Sequence, residues 1–78
     1  MTSDDLERWL CALVGDLLDL PTDQIDVTER LERYGLDSAA ALSVVDSLER
    51  KLERELDPTL LYDHPTIQAL ARHLASGR

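Results

Sequence analysis

Apolar residues recur at intervals of three and four along most of this chain. The first set is Leu6, Trp9, Leu10, Leu13, Val14 and Leu17, the spacing of a helix with one buried face. Thr2 or Ser3 stands where a helix cap belongs. Asp4, Asp5 and Glu7 follow in the first turn, where acids complement the positive end of the aligned peptide dipoles. The spacing predicts a helix over about residues 3–19, closed by Pro21, which disfavours helical dihedrals in the residue before it.

Helical spacing then lapses over residues 21–36. A connection that long in a small domain is usually functional or pinned by its own side chains. Ile25, Val27 and Leu31 are the expected pins, with a helical turn within Thr28–Arg33. Periodicity resumes at Asp37, a favoured N-cap, and predicts a second helix over about residues 37–54. Ala41, Leu42, Val45, Leu48 and Leu52 are read as its inward stripe, and Asp46, Glu49, Arg50, Lys51 and Glu53 as solvent-facing. Asp57-Pro58 opens a short helix over 58–62 with Leu60, Leu61 and Tyr62 as apolar content. Pro65 breaks the chain again. Thr66 then caps a last helix over 66–76 with Ile67, Leu70, Ala71 and Leu74 facing inward. Strand-like alternation is absent. The reading is all-α: one domain, residues 1–78, forming a small four-helix bundle with a long first connection and a short third helix.

Composition narrows the function classes. With three aromatics, Trp9, Tyr34 and Tyr62, the core has to be built from Leu, Val, Ile and Ala, and Trp9 and Tyr62 are read as packing residues. The single cysteine, Cys11, excludes an internal disulfide and reads as a small core hydrophobe. The longest apolar run, residues 9–14, falls far short of the roughly 20 residues that span a bilayer. No basic segment precedes it as in a signal peptide, so a soluble cytoplasmic protein with no membrane partner is expected. Net charge is −8, all of it within residues 1–48, while the remainder balances. Nucleic acid is therefore excluded as a partner, because binding it requires Lys and Arg against phosphates. Basic protein surfaces suit such a chain.

The candidate chemistry centres on YGLDSAAALSVVDSLERKL, residues 34–52. A turn glycine, Gly35, is followed by Leu36, Asp37 and Ser38, and the chain becomes helical at once. That order sets the Ser38 hydroxyl on the first turn of a helix, where free N–H groups and about half a positive charge favour an attached anion. A hydrolase triad finds no support, since Ser38 lies in no GxSxG elbow and the chain is too small for such scaffolds. His64 sits in a turn beside Pro65, and His73 suits the C-terminal end of the last helix. Asp16, Asp19, Asp23 and Asp26 lack the calcium-loop spacing, so no metal is expected.

The YGLDS motif, with Leu31 upstream and LYDHPTIQALARHL (61–74) downstream, resembles the acyl carrier proteins, in particular the carrier domains of polyketide synthases. The resemblance runs from about Leu6 to Leu74. It implies a non-enzymatic carrier whose Ser38 receives 4′-phosphopantetheine from coenzyme A through a phosphopantetheinyl transferase. Acyl intermediates of polyketide or related fatty-acyl biosynthesis would then ride on the arm as thioesters. Asp37 would cap the helix beside the attachment point, and Leu36, Ala39, Leu42, Asp46, Glu49 and Glu53 would meet partners. Those partners would be acyltransferase, ketosynthase or acyl-ligase enzymes, approached by a monomer. Met1 at the start and Arg78 soon after the last helix favour a discrete protein over an excised domain. Three positions depart from the family pattern: Ala39 and Ser43 replace a usual large apolar residue and a glutamate, and Tyr34 replaces leucine before the glycine. The alternatives are a peptidyl or aryl carrier of nonribosomal peptide assembly, disfavoured by the lack of a second glycine, and an unmodified acidic helical interaction module.

Overall fold

The structure is a computed structural model that describes residues 2–75. Among the described residues four α-helices form: α1 (Ser3–Leu18), α2 (Ser38–Leu52), α3 (Leu60–Asp63) and α4 (Ile67–Ala75). No strand occurs among the described residues, and one isolated bridge joins Arg30 to Thr66. Thr2 caps α1, its Oγ1 accepting the Asp5 N–H at 3.1 Å. The helix stops at Asp19, which adopts the left-handed conformation at φ 57°. The Gly15 carbonyl accepts both the Asp19 N–H and the Leu20 N–H, the latter at 2.8 Å. α2 closes the same way, with Glu53 at φ 54°. Neither C-cap is the glycine that usually announces a helix end. For α4, Thr66 Oγ1 accepts the Ala69 N–H at 3.0 Å. The expected last residue of that helix, Ser76, lies outside the described residues.

The core is aliphatic. Leu6, Leu10 and Val14 of α1 meet Ile67, Leu70, Ala71 and Leu74 of α4, with Val44, Val45 and Leu48 closing from α2. Each of the larger side chains contributes about 1.5–3 kcal/mol by leaving water. Two inward assignments change. Leu42 is 56% exposed, and Val44 is fully buried in its stead. At about 100° per residue, positions 41, 44, 45, 48 and 52 cluster on one side of α2, and 42 falls roughly a quarter-turn away. Tyr62 is 75% exposed, because the single turn of α3 buries only Leu60 and Leu61. That helix starts at Leu60, not Pro58: Asp57 Oδ1 accepts both the Thr59 N–H (2.8 Å) and the Thr59 hydroxyl (2.7 Å), so a side-chain turn occupies 57–59.

The long connection is built from two 3-10 turns, Thr22–Gln24 and Leu31–Tyr34. Ile25 and Leu31 are buried and Val27 packs partly against the core. Backbone bonds sew it to α4 and to the segment just before it: Gln68 N–H to the Val27 carbonyl and Leu31 N–H to the Pro65 carbonyl, both 2.9 Å. Trp9 is half-buried, with Lys51 Nζ 5.9 Å from its ring centroid.

Candidate functional site

The Leu31–Tyr34 turn ends at Gly35, whose N–H bonds the Glu32 carbonyl at 3.1 Å and whose φ is +85°. A Cβ there would meet nothing within 4 Å, so glycine serves the dihedral and not the packing. Leu36 then turns inward against the core, while Asp37 and Ser38 face solvent. Asp37 is the N-cap of α2: Oδ1 accepts the Ala40 N–H at 2.8 Å, and its carbonyl accepts the Ala41 N–H at 2.8 Å. Helix geometry leaves the Ser38 and Ala39 N–H groups without intrahelical acceptors. The exposed Ser38 hydroxyl thus stands on the donor-rich end of a fifteen-residue helix.

Beside it lies an open groove of about 570 Å³ between α2, α3 and the Leu31–Tyr34 turn. Leu36, Asp37, Ser38 and Leu42 line it from one side, and Tyr62 and Pro58 from the other. Tyr62 is the addition that sequence reasoning missed. The available signal was the brevity of α3, since one helical turn cannot bury three consecutive apolar residues. Ala39 is exposed next to Ser38.

The three acidic positions assigned to partners sit elsewhere. Asp46, Glu49 and Glu53 line a shallower concavity with Arg50 and Arg54, between about 12 and 22 Å along the helix axis from Ser38. Asp46 pairs with Arg50, and Glu53 is exposed. Glu49 departs from its solvent-facing reading: it is half-buried, and Oε2 accepts the Leu56 N–H at 2.8 Å. Nearby, Arg54 Nη2 donates to the Leu74 carbonyl at 3.3 Å. The two imidazoles, His64 and His73, stack on each other with centroids 4.1 Å apart. Among the described residues, no group of three or more His, Cys, Asp or Glu is placed to hold a metal. No helix there is long and apolar enough to cross a membrane.

A small helical bundle that presents a hydroxyl on a capped helix start, above an open groove, has the architecture of a covalent carrier. A family model described as the phosphopantetheine attachment site matches residues 8–74. The chain belongs to that family of carriers, which are not themselves catalysts. Its sequence is 39% identical over 69 residues to the polyketide synthase PksM of Bacillus subtilis, covering 88% of this chain. Among solved structures, a free-standing peptidyl carrier protein from Acinetobacter baumannii superposes with a TM-score of 0.92 at 40% identity, covering 96% of this chain and 94% of that one. The acyl carrier protein LipD from Actinoplanes friuliensis gives 0.79 at 45% identity, covering 96% and 83%. The chain spans only 2% of the length of PksM.

The cofactor of the family is a covalently attached 4′-phosphopantetheine. The site fits it. The exposed Ser38 hydroxyl would offer an attachment atom, and the free N–H groups of the α2 start suit a phosphodiester anion.

Proposed function

We propose that this protein is an acyl carrier, loaded at Ser38, that serves polyketide or related fatty-acyl assembly. The placement of Ser38 is the observation that carries the reading: exposed, directly after the capping Asp37, at the mouth of the groove. When bound, the arm supplies a terminal thiol that holds the carried group as a thioester. The residues of the chain have three duties. Asp37 holds the helix start, Ser38 offers its hydroxyl, and Leu36 anchors the turn beneath them. A phosphopantetheinyl transferase performs the loading. Leu42 and Tyr62, both exposed beside the groove, offer apolar contact to the transferase and to acyltransferase, ketosynthase or acyl-ligase partners. Ala39 adjoins that surface, while Asp46 and Glu53, further along α2, offer charge to the same partners, and Glu49 contributes its charge while holding Leu56.

Incubation with coenzyme A, magnesium and a broad-specificity transferase, read by intact-mass spectrometry, tests the assignment. Wild-type protein is expected to gain one phosphopantetheine and Ser38→Ala none, with helicity kept because Asp37 still caps α2. Persistent modification of Ser38→Ala would move the site elsewhere.

A second reading, a peptidyl carrier of nonribosomal assembly, is favoured by the likeness to the Acinetobacter carrier. Offering the loaded protein in parallel to an acyltransferase with an acyl-coenzyme A and to an adenylation domain with amino acids separates the two.

A further inference from the structure

We infer that the Tyr34 hydroxyl is a positioning group for Ser38, holding the turn that presents the serine to its transferase; this rests on the loading of Ser38 proposed above. Tyr34 stands immediately before Gly35 and four residues before Ser38. Its ring packs partly against the core, and its hydroxyl reaches eight residues back along the chain. There it accepts the Asp26 N–H at 2.7 Å and lies 3.4 Å from the Asp26 carbonyl, to which it donates.

Asp26 is a firm anchor. Its Oδ1 accepts the Thr28 N–H at 2.8 Å and the Thr28 hydroxyl at 2.6 Å, and those bonds hold its carboxyl below the usual aspartate range. The next residue, Val27, is tied through its carbonyl to Gln68 of α4. The anchored segment is therefore fixed to the bundle without help from Tyr34.

The serine-bearing turn is less constrained at its centre. Gly35, at positive φ, has no neighbour within 4 Å of where a side chain would start, and glycine is the residue with the most backbone freedom. Restraint must come from the flanks. On one side Asp37 caps α2. On the other, the Tyr34 hydroxyl links the turn to the Asp26 anchor. Loss of that link widens the range of positions open to Ser38 and leaves Leu42, Tyr62 and the acidic face in place.

Tyr34→Phe deletes the oxygen and keeps the ring. With catalytic transferase, saturating coenzyme A and the carrier varied as substrate, the loading kcat of the variant carrier is expected to fall about three- to tenfold, the worth of one hydrogen bond, with its KM unchanged. A purely structural role would instead lower the melting temperature without a kcat-against-KM split. Amide exchange at Asp26, measured by NMR on the same samples, should quicken in the variant. An unchanged kcat, or a raised KM at constant kcat, overturns the inference, as does equal Asp26 protection in both proteins. Failure of the wild-type protein to load at all would refute the carrier reading instead, and the exchange comparison would still decide whether the link exists.

Discussion

Replacing Gly15 with alanine should destabilise this protein, although the same change in most helix interiors stabilises. Gly15 lies in α1 with ordinary helical dihedrals and is buried. Alanine there gains about 1 kcal/mol in helix propensity. Against that, a Cβ at this position would stand 2.8 Å from the Leu20 carbonyl oxygen, closer than real Cβ atoms approach. Ile25 Cδ1 at 3.4 Å and Thr22 Cγ2 at 3.6 Å are ordinary contacts and add no relief. The obstructing atom is backbone, and Leu20 is itself bonded through its N–H to the Gly15 carbonyl at 2.8 Å. Separating the two therefore strains the bond that ends α1. Overpacking of this kind costs about 1–3 kcal/mol, so steric cost outweighs propensity and a net loss of about 1 kcal/mol is expected. In a domain of this size that corresponds to a fall in Tm of roughly 4–8 °C. Urea denaturation followed by circular dichroism provides the free energy, and a thermal scan the midpoint. A variant as stable as wild type, or more so, would show that the exit of α1 yields freely and that the close approach is no constraint.

Leu48→Ala, at a fully buried position of α2, should lose roughly 2–5 kcal/mol in the same denaturation assay. A loss below about 1 kcal/mol would contradict its burial. Replacing Asp46 or Glu53 with lysine is expected to slow loading through the association step, with the difference from wild type shrinking at high salt; equal rates at all ionic strengths would remove steering from the account. Glu49 is a poor place for that test, since its replacement also frees the Leu56 N–H. Burial, and secondarily the charge of Glu7, raises the pKa of the Cys11 thiol above its ordinary value. Less thiolate is then present at neutral pH, so alkylation by iodoacetamide should be slower than for a small free thiol and should accelerate only at more alkaline pH. Equal rates at pH 8 would contradict this.

The helices were legible because their signals are local. The Ile67–Leu74 stripe, the Thr66 and Asp37 caps and the breaks at Pro21 and Pro65 all act within a few residues. The placement of Ser38 at a capped helix start was legible for the same reason: glycine, cap and helix start lie in adjacent positions. What escaped depends on residues further apart. The carboxylate of Glu49 looks like surface charge until the chain beyond α2 folds back and brings the Leu56 N–H to it. Leu42 has the chemistry of a core residue, and only the angular centre of the packed face excludes it. Gly15 carries no sequence signal, because its obstruction comes from Leu20 beyond the helix end. The Tyr34–Asp26 link joins two positions that no periodicity relates.

The packing of α1 against α4 also sets an order of events during synthesis. Of the four helices, the two that pack most extensively on each other are the first and the last to be made. A ribosome that has released α1, α2 and the serine turn still holds back Ile67, Leu70 and Leu74, and with them the Pro65 and Gln68 groups that secure the long connection. Until those emerge, Leu6, Leu10 and Val14 have only the α2 face to pack against, and the connection leading to Ser38 lacks its bonds to Pro65 and Gln68. Closing that span brings the two apolar faces together and makes the final step cooperative. A transferase that recognises the assembled turn would thereby discriminate finished molecules from nascent ones, so that loading reports completion of the fold.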